Sequence, residues 1–595
     1  MKLNRREFLT GSLALAGGLI LPAHLAGCRS DKARIYDVVI YGGTSSGIIA
    51  AVTAARKGRS TILIEPSNHL GGLTTGGLGR TDIGIEDTIR GLSLEFYRRI
   101  RDYYRVESAW IHENRMEYME GREWRSAELF QPDSEGMFGF EPHAARHVYE
   151  QMLEEAGVTV VMEDRLILGD NGVEKNRDKI EAIRTEAGNI YRGRIFVDAS
   201  YEGDLMAMAG VSYHVGREPN SKYDETINGV QKVRTRNHIF PGFVDPYQRP
   251  GVPGSGLVPG VHDEYPGDEF SEDHRVQAYC FRLCMSDIPE NMIPFEKPYG
   301  YDERDYELLF RNFEAGETRI PLLIVYMPNR KTDTNNEWGF STNQIGVNYE
   351  YPDGNYATRE SIIEGQEQYQ RGLMWTLANH PRIPAHIREE TNKWGLAADE
   401  FTENNGWPTQ IYVREARRLI GEYVMTEYDC RRMHIAPDSV GLGSYTMDSH
   451  NVQRYITEDG CVQNEGNIQE SPGGPYVVSY RSLLPRRNEC SNLLVCCNGV
   501  SSSHISFGSI RMEPVFMLLG QSAATAAVQS LEDGSELHDL DYQKLRAQLL
   551  RDDQMLDVDT GRYPPLEPDP EPLRQRVRHG TEPVIENGCM VRCSD

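Results

Sequence analysis

The sequence has no Cys-x-x-Cys pair, although it holds ten cysteines: Cys28, Cys280, Cys284, Cys430, Cys461, Cys490, Cys496, Cys497, Cys589 and Cys593. Two pairs are spaced C-x3-C and one pair is adjacent. None of these has the spacing of a ferredoxin-type cluster or a zinc ribbon, so no metal site is expected and the cysteines read as scattered buried thiols. Basic residues are also short: 63 Lys and Arg stand against 89 Asp and Glu, a formal charge of −26. So acidic a surface repels phosphate backbones and anionic lipid, which argues against nucleic acid and a membrane surface as partners. Beyond the N-terminus no apolar run approaches 18 residues, so nothing there reads as a membrane span. No internal repeat is visible. What remains is an ordinary soluble composition, 39% apolar and 26% charged over 595 residues, with enough chain for one or two large cores.

The N-terminus reads as an address. Asn4-Arg5-Arg6-Glu7-Phe8-Leu9-Thr10 is a twin-arginine signal, followed by an apolar run from Leu13 to Leu21 and by Leu25-Ala26-Gly27-Cys28, a lipobox. The run is too short and too rich in Gly and Ala to span a membrane. The twin-arginine route exports folded proteins, which suits a chain that loads a cofactor in the cytoplasm. Residues 1–27 are therefore expected to be a signal peptide. Cys28 becomes the lipid-bearing first residue of a periplasmic or cell-surface lipoprotein, held to the membrane only by that lipid.

Arg34 to Tyr41 reads as a buried strand, Ser46 to Lys57 as an Ala-rich helix ended by Gly58, and Thr61 to Glu65 as the next strand. This β-loop-α-β order is the unit of a parallel sheet. Residues 85–140 look like a helical insertion, Pro142–Ala156 like a helix and Val158–Met162 like a strand. Ile180–Thr185 and Ile190–Val197 look like a hairpin turning at Gly188-Asn189. The stretch from about 210 to 480 is polar and rich in Pro, Tyr and Asn, with helices expected at Glu360–Ala378 and Val413–Met425. The β-α pattern then returns, with a strand at Leu493–Cys497 and a long helix at Arg511–Gln529. Beyond Leu556 the Pro- and acid-rich chain is expected to pack loosely.

Gly42-Gly43-Thr44-Ser45-Ser46-Gly47 lies between the first strand and its helix. It follows G-x-G-x-x-G with Thr44 in place of the middle glycine. The first glycine allows a tight turn and the last lets helix and strand pack closely, while the helix N-terminus faces a diphosphate. Glu65 ends the second strand, where a carboxylate accepts from ribose hydroxyls. Leu70-Gly71-Gly72-Leu73-Thr74-Thr75-Gly76-Gly77 follows. A second glycine-rich stretch gives backbone access beside an extended cofactor, which favours flavin over nicotinamide.

Y-G-G-T-S-S-G, H-L-G-G-L-T-T-G-G-L-G, V-D-A-S-Y-E-G-D-L (197–205) and S-H-I-S-F-G-S-I-R-M-E-P-V-F-M-L-L-G-Q-S-A-A-T-A-A (503–527) resemble the FAD-dependent oxidoreductase family, in particular its exported bacterial branch, some of whose members are labelled xanthan lyase. Y-C-F-R-L-C (279–284), N-G-W-P-T-Q-I-Y-V-R-E-A-R-R (405–418) and M-D-S-H-N-V-Q-R-Y (447–455) match as well. The resemblance covers roughly residues 35 to 555. It implies an α/β chain: a glutathione-reductase-like Rossmann FAD-binding domain at 35–210 and 486–555, an inserted α+β substrate or cap domain at 211–485, and a Pro/acidic tail at 556–595. It implies FAD as cofactor, with Gly42, Gly43, Thr44, Ser45, Ser46, Gly47, Glu65, Gly71 and Gly72 around the adenosine diphosphate half. Asp198, Gly203 and Asp204 would lie where the chain returns to the cofactor, and Arg511, Met512 and Glu513 would head a helix facing the flavin pyrimidine edge. A helix N-terminus and a cation there would stabilise reduced flavin. The cluster cysteines of a more distant relative, a heterodisulfide reductase subunit, have no counterpart.

Oxidising a carbinol needs a base for the hydroxyl proton, and histidine is the usual one near neutral pH. His504, in a loop Ser501-Ser502-Ser503-His504 expected over the flavin, is the first candidate. His450 with Asp448 is the second. Arg481 is a candidate for holding a carboxylate such as a uronic acid. The function expected is flavin-dependent oxidation of a hydroxyl on a carbohydrate or other polyol, with an unknown electron acceptor. The alternatives are a flavin-assisted eliminase on a polysaccharide or uronide and a lipid-anchored binding protein with structural FAD.

Overall fold

The apolar, β-branched run Ile35–Tyr41 forms β1, an inner strand of a seven-stranded sheet. The computed structural model describes residues 34–119 and 134–568 and the strand pair Val584–Glu586 and Cys589–Val591. The twin-arginine segment and Cys28 lie outside the described residues. After β1 come α1 (Ser45–Arg56), β2 (Thr61–Ile64), the short α2 (Gly72–Gly76), α3 (Gly91–Tyr103), α4 (Pro142–Ala156) and β3 (Thr159–Val161). The expected hairpin follows as β5 and β6, preceded by an edge strand: β4 (Val173–Asn176), β5 (Lys179–Arg184) and β6 (Ile190–Asp198). Gly188 takes the positive φ of +86° that its turn requires.

Short α5 (Asp204–Met208) leads into the long middle region. Its regular parts include β7 (Leu322–Met327), β8 (Lys331–Asn336), the 24-residue α6 (Tyr356–Asn379) and β9 (Met447–Ser449). β7 and β8 belong to a five-stranded antiparallel sheet. The chain then returns through β10 (Leu493–Val495), α7 (His504–Ile510) and α8 (Glu513–Asp533). β3, β2, β1, β6 and β10 are parallel to one another, while β5 joins β6 antiparallel. β5 covers the first residues of β6 and β10 covers the last. A sheet core assembled from the two ends of the chain is the Rossmann-type layout the sequence predicts.

α1 is buried from Ser45 to Ala54, so it needs small residues. It packs against α8 so closely that a Cβ at Gly520 would stand 2.1 Å from the Ser46 carbonyl oxygen. The ends of strands and helices that carry the cofactor motifs are thereby locked to one another.

Three expectations change. Val413–Met425 is not a helix. Its run is extended, with Arg418–Leu419 paired antiparallel to Tyr213–His214. The reason is local charge: Arg414, Glu415, Arg417 and Arg418 are all buried and find partners on different sides of the chain, which one helical stripe cannot serve. The tail is only partly loose over its described part: residues 557–568 form no helix or strand and most are exposed, yet single points dock it. Leu556 is buried, the Leu566 N–H donates to the Arg431 carbonyl, and Arg432 donates to the carbonyls of Tyr563 and Pro564. Finally, six cysteines are free and buried as expected, but Cys461 is disulfide-bonded. Among the described residues no helix is long and apolar enough to cross a membrane.

Candidate active site

The glycine loop turns from β1 into α1 as a cradle. Gly42 has φ +102°, and a Cβ there would lie 2.6 Å from the Ser200 nitrogen. At Gly47 a Cβ would lie 1.9 Å from the Gly42 carbonyl oxygen. Thr44, the departure from the glycine fingerprint, has two tasks. Its Oγ1 donates to the Ala199 carbonyl (2.7 Å) and accepts from the Gly47 N–H (3.3 Å), capping α1. Such a cap is worth about 0.5–2 kcal/mol. The first-turn N–H groups of Ser45 and Ser46 have no acceptor within the helix.

Glu65 follows β2 and accepts from the N–H groups of Gly43 and Ser67, both at 2.7 Å. Burial pushes its carboxyl up to about 7 against the pull of these donors. The Gly71 N–H donates to the Gly43 carbonyl (2.7 Å), so the second glycine stretch is docked on the first. Gly71 and Gly72 both have positive φ, and side chains there would strike Thr75 and Tyr201. Free helix N–H groups for a diphosphate beside a buried carboxylate for a diol form a donor and acceptor set that fits the adenosine diphosphate half of FAD.

Asp198 and Asp204 serve this cradle from behind. Asp198 accepts from the Ser200 N–H and Oγ and from the Met206 N–H, shaping the loop whose backbone lies on Gly42. Gly203, at φ +70°, ends that loop. The carboxylate of Asp204 is committed to buried Arg359 (2.7 and 2.8 Å) and Arg417 (2.8 Å). It holds α5 to the middle region.

Met512 caps α8 and Glu513 begins it. The Glu513 carboxylate accepts from Ser45 Oγ, Thr74 Oγ1 (2.9 Å) and Tyr201 OH (3.2 Å), tying the heads of α8, α1 and α2 together. Arg511, just before α8, pairs with Asp448 (2.9 Å) and donates to Tyr412 OH.

His504 is not in a loop. Ser503 caps α7, and His504 is the first residue of that helix, which lies between β10 and α8. Its backbone N–H donates to Glu218 (2.9 Å). Its ring is held from both sides: Nδ1 lies 2.7 Å from Glu415 Oε2 and Nε2 lies 2.8 Å from Ser449 Oγ. Glu415 also accepts from Arg418 (3.0 Å) and the Gln277 N–H (2.8 Å). Burial alone would raise this carboxyl, but His504 and Arg418 hold it below the usual range. A buried carboxylate on one ring nitrogen and a hydroxyl on the other is an arrangement that moves a proton.

His450 follows Ser449, the last residue of β9. Its Nε2 is 3.3 Å from Asp448, and its Nδ1 faces the side-chain amides of Asn336 and Asn343 at 3.5 Å. Burial, with Arg414 nearby, pulls its pKa down to about 3, so the ring is neutral and a weak base. Arg481 lies elsewhere. It pairs with Asp438 (2.9 and 3.1 Å), is 42% exposed and makes a structural ion pair.

A separate acidic trio of Glu141, His143 and Glu400 has its ligand atoms within 4.8 Å of one another. Buried Lys331 already occupies it, with Nζ at 2.8 Å from Glu141, Asp399 and Glu400.

Residues 37–549 match the family described as FAD dependent oxidoreductase, and the chain belongs to it. The protein is an FAD-dependent oxidoreductase, an enzyme whose cofactor is FAD. No curated protein matches it. Similar solved structures include an L-proline dehydrogenase from P. horikoshii, at 17% identity over 31% of this chain and 59% of that one, with a TM-score of 0.22. An L-amino acid deaminase from Proteus vulgaris shows 16% identity over 33% and 54%, also at 0.22. The bacillithiol disulfide reductase from Staphylococcus aureus shows 15% over 31% and 40%, at 0.17. The chain thus spans less than two thirds of each of these structures.

Sequence reasoning missed Glu415, Ser449, Arg414, Asn336 and Asn343. A signal for the first three was present, because 405–418 and 447–455 are among the stretches that carry the family resemblance. The two asparagines lie on and after β8 in polar chain with no such mark.

Proposed function

We propose that the enzyme oxidises a hydroxyl-bearing carbon, with His504 receiving the hydroxyl proton. The observation that carries this reading is the Ser449–His504–Glu415 chain, two hydrogen bonds of 2.8 and 2.7 Å, placed on the helix that directly precedes α8. Bound FAD supplies the hydride acceptor, held by the 42–47 loop, Glu65 and the 70–77 stretch. Ser449 Oγ stands between the substrate hydroxyl and His504 Nε2. It passes its own proton to Nε2 as it accepts the substrate's, and Glu415 steadies the imidazolium that results. A carbohydrate or other polyol is the substrate class we favour. The test is a panel of sugars, uronides and simple polyols added anaerobically to the holoenzyme. Bleaching of the flavin with formation of a carbonyl product supports the reading; no bleaching by any hydroxyl compound contradicts it.

We further propose export by the twin-arginine route and anchoring through a lipid on Cys28. The motifs at 4–10 and 25–28 support this, as does the disulfide at Cys461, since disulfides persist in oxidising compartments. Replacing Arg5 and Arg6 by Lys should leave folded, yellow protein in the cytoplasm, and Cys28→Ala should carry no lipid. A lipidated Cys28→Ala protein would show the anchor lies elsewhere.

A further inference from the structure

Arg414 is a buried cation whose hydrogen-bond partners are all neutral. Its Nη1 donates to the Ala278 carbonyl and to Asn343 Oδ1 (3.0 Å), and its Nη2 to Asn336 Oδ1 (2.8 Å), Cys280 Sγ (3.3 Å) and Asn335 Oδ1 (3.5 Å). Its Nε is buried without a partner. Among the described residues no carboxylate lies within ion-pair distance of it. The acids around it are committed: Asp448 to Arg511 and His450, Asp333 to Arg282, Glu415 to His504 and Arg418. Asp82 acts through space on Arg282 and Arg511. A guanidinium wholly out of water and without a counter-ion is costly, and an anion that arrives as ligand removes the cost.

The surroundings indicate what kind of anion. Arg511 has a second buried Nε without a partner, and both guanidinium groups lie against the Tyr412 ring, at 4.6 and 5.6 Å from its centroid. Asp448 Oδ1, on the carboxylate that pairs with Arg511, is also buried and unpartnered. The free Nε–H groups match a carboxylate oxygen, and the free oxygen of Asp448 matches a hydroxyl group. His450 stays neutral beside them and adds no competing charge.

We propose that Arg414, through its unpartnered Nε, receives the carboxylate of a hydroxyl-bearing acid, making the substrate a sugar acid or hydroxy acid. This rests on the reading of the enzyme as a carbinol oxidant, and it moves the carboxylate anchor from Arg481 to Arg414.

The test is a binding titration of the oxidised holoenzyme, followed by the flavin difference spectrum and by the melting temperature. Matched pairs serve as probes: glucuronate with glucose, and lactate with propane-1,2-diol. At least one acid should bind tenfold or more tightly than its neutral partner. Arg414→Gln should erase that preference, and Arg414→Lys, which keeps the charge without the planar fork, should retain part of it. The comparison of matched pairs on the wild-type protein needs no variant to fold. Equal binding within both pairs, no binding by either acid, or an Arg414→Gln protein that keeps the preference would overturn the assignment. So would an Arg414→Gln effect confined to the flavin potential. An acid that binds but never bleaches the flavin would sink the oxidation reading and leave Arg414 as the carboxylate anchor. Neutral polyols that bleach it as fast as acids would do the reverse.

Discussion

Gly520 lies in the middle of α8, far in sequence from the 42–47 loop, yet its replacement by alanine should release FAD. The new Cβ would be 2.1 Å from the Ser46 carbonyl oxygen and 2.9 Å from the Ser46 carbonyl carbon, where an ordinary contact is 3.4 Å or more. Both obstacles are backbone, so no side-chain rotation relieves them, and α8 must move away from α1 by roughly 1 Å. Ser46 is in the first turn of α1, and Glu513 at the head of α8 is bonded to Ser45. The shift therefore reaches the phosphate cradle. Overpacking of this kind costs about 1–3 kcal/mol. Delivered to the bound state, it weakens FAD by roughly 5- to 150-fold. Gly47→Ala, whose Cβ would meet the Gly42 carbonyl oxygen at 1.9 Å, should do the same from inside the loop. The assay is the ratio of FAD to protein after extensive dialysis, with equilibrium titration of FAD back into the apoprotein. Full retention of FAD and unchanged affinity in both variants would refute the coupling of the α1–α8 contact to the cofactor site.

Two stability predictions follow from buried charge. Burial pushes the Glu225 carboxyl up to about 8, in spite of hydrogen bonds from Ser503 Oγ (2.6 Å), the Glu427 N–H (2.8 Å) and Asn228 (2.8 Å). A carboxyl raised on folding contributes stability that is complete below its unfolded pKa and is lost as pH rises through about 8, at most about 5 kcal/mol. Glu225→Gln should flatten that loss, so wild type and variant should diverge in urea unfolding between pH 5.5 and pH 9; parallel curves would contradict this. Lys331→Met leaves Glu141 and Glu400 buried without their ammonium and should cost about 3–5 kcal/mol by chemical denaturation. A change under 1 kcal/mol would show that the trio is not held by that charge.

The cofactor half of the molecule was largely legible because its signals are local. The strand Ile35–Tyr41, the loop at 42–47, the helix at Ser45–Arg56 and the closing Glu65 occupy one continuous stretch, and alternation with Gly188-Asn189 marked the β5–β6 hairpin. The active-site half was less so, because its bonds join distant parts of the chain. His504 and Glu415 are 89 residues apart, and His504 and Ser449 are 55. Nothing periodic announces such a meeting. The run Val413–Met425 reads as a helix in the sequence, and tertiary ion pairs override that preference. Arg481 and Arg414 show the same limit from the other side. Both are arginines in polar chain, and only the partners, Asp438 for one and neutral amides for the other, separate a structural ion pair from a candidate ligand site.

The most direct test of the account is single-turnover, anaerobic flavin reduction in His504→Asn and His450→Asn, each beside wild type, with a substrate found by the panel. Asparagine can keep a hydrogen bond to Ser449 but cannot take its proton. His504→Asn should hold FAD at full stoichiometry and reduce it roughly 10²–10⁴-fold more slowly, the usual worth of a positioned base. His450→Asn, which replaces a neutral and weakly basic ring, should fall well short of that loss. A His504→Asn protein that reduces its flavin at the wild-type rate, beside a slow His450→Asn protein, would contradict the assignment of the proton to His504.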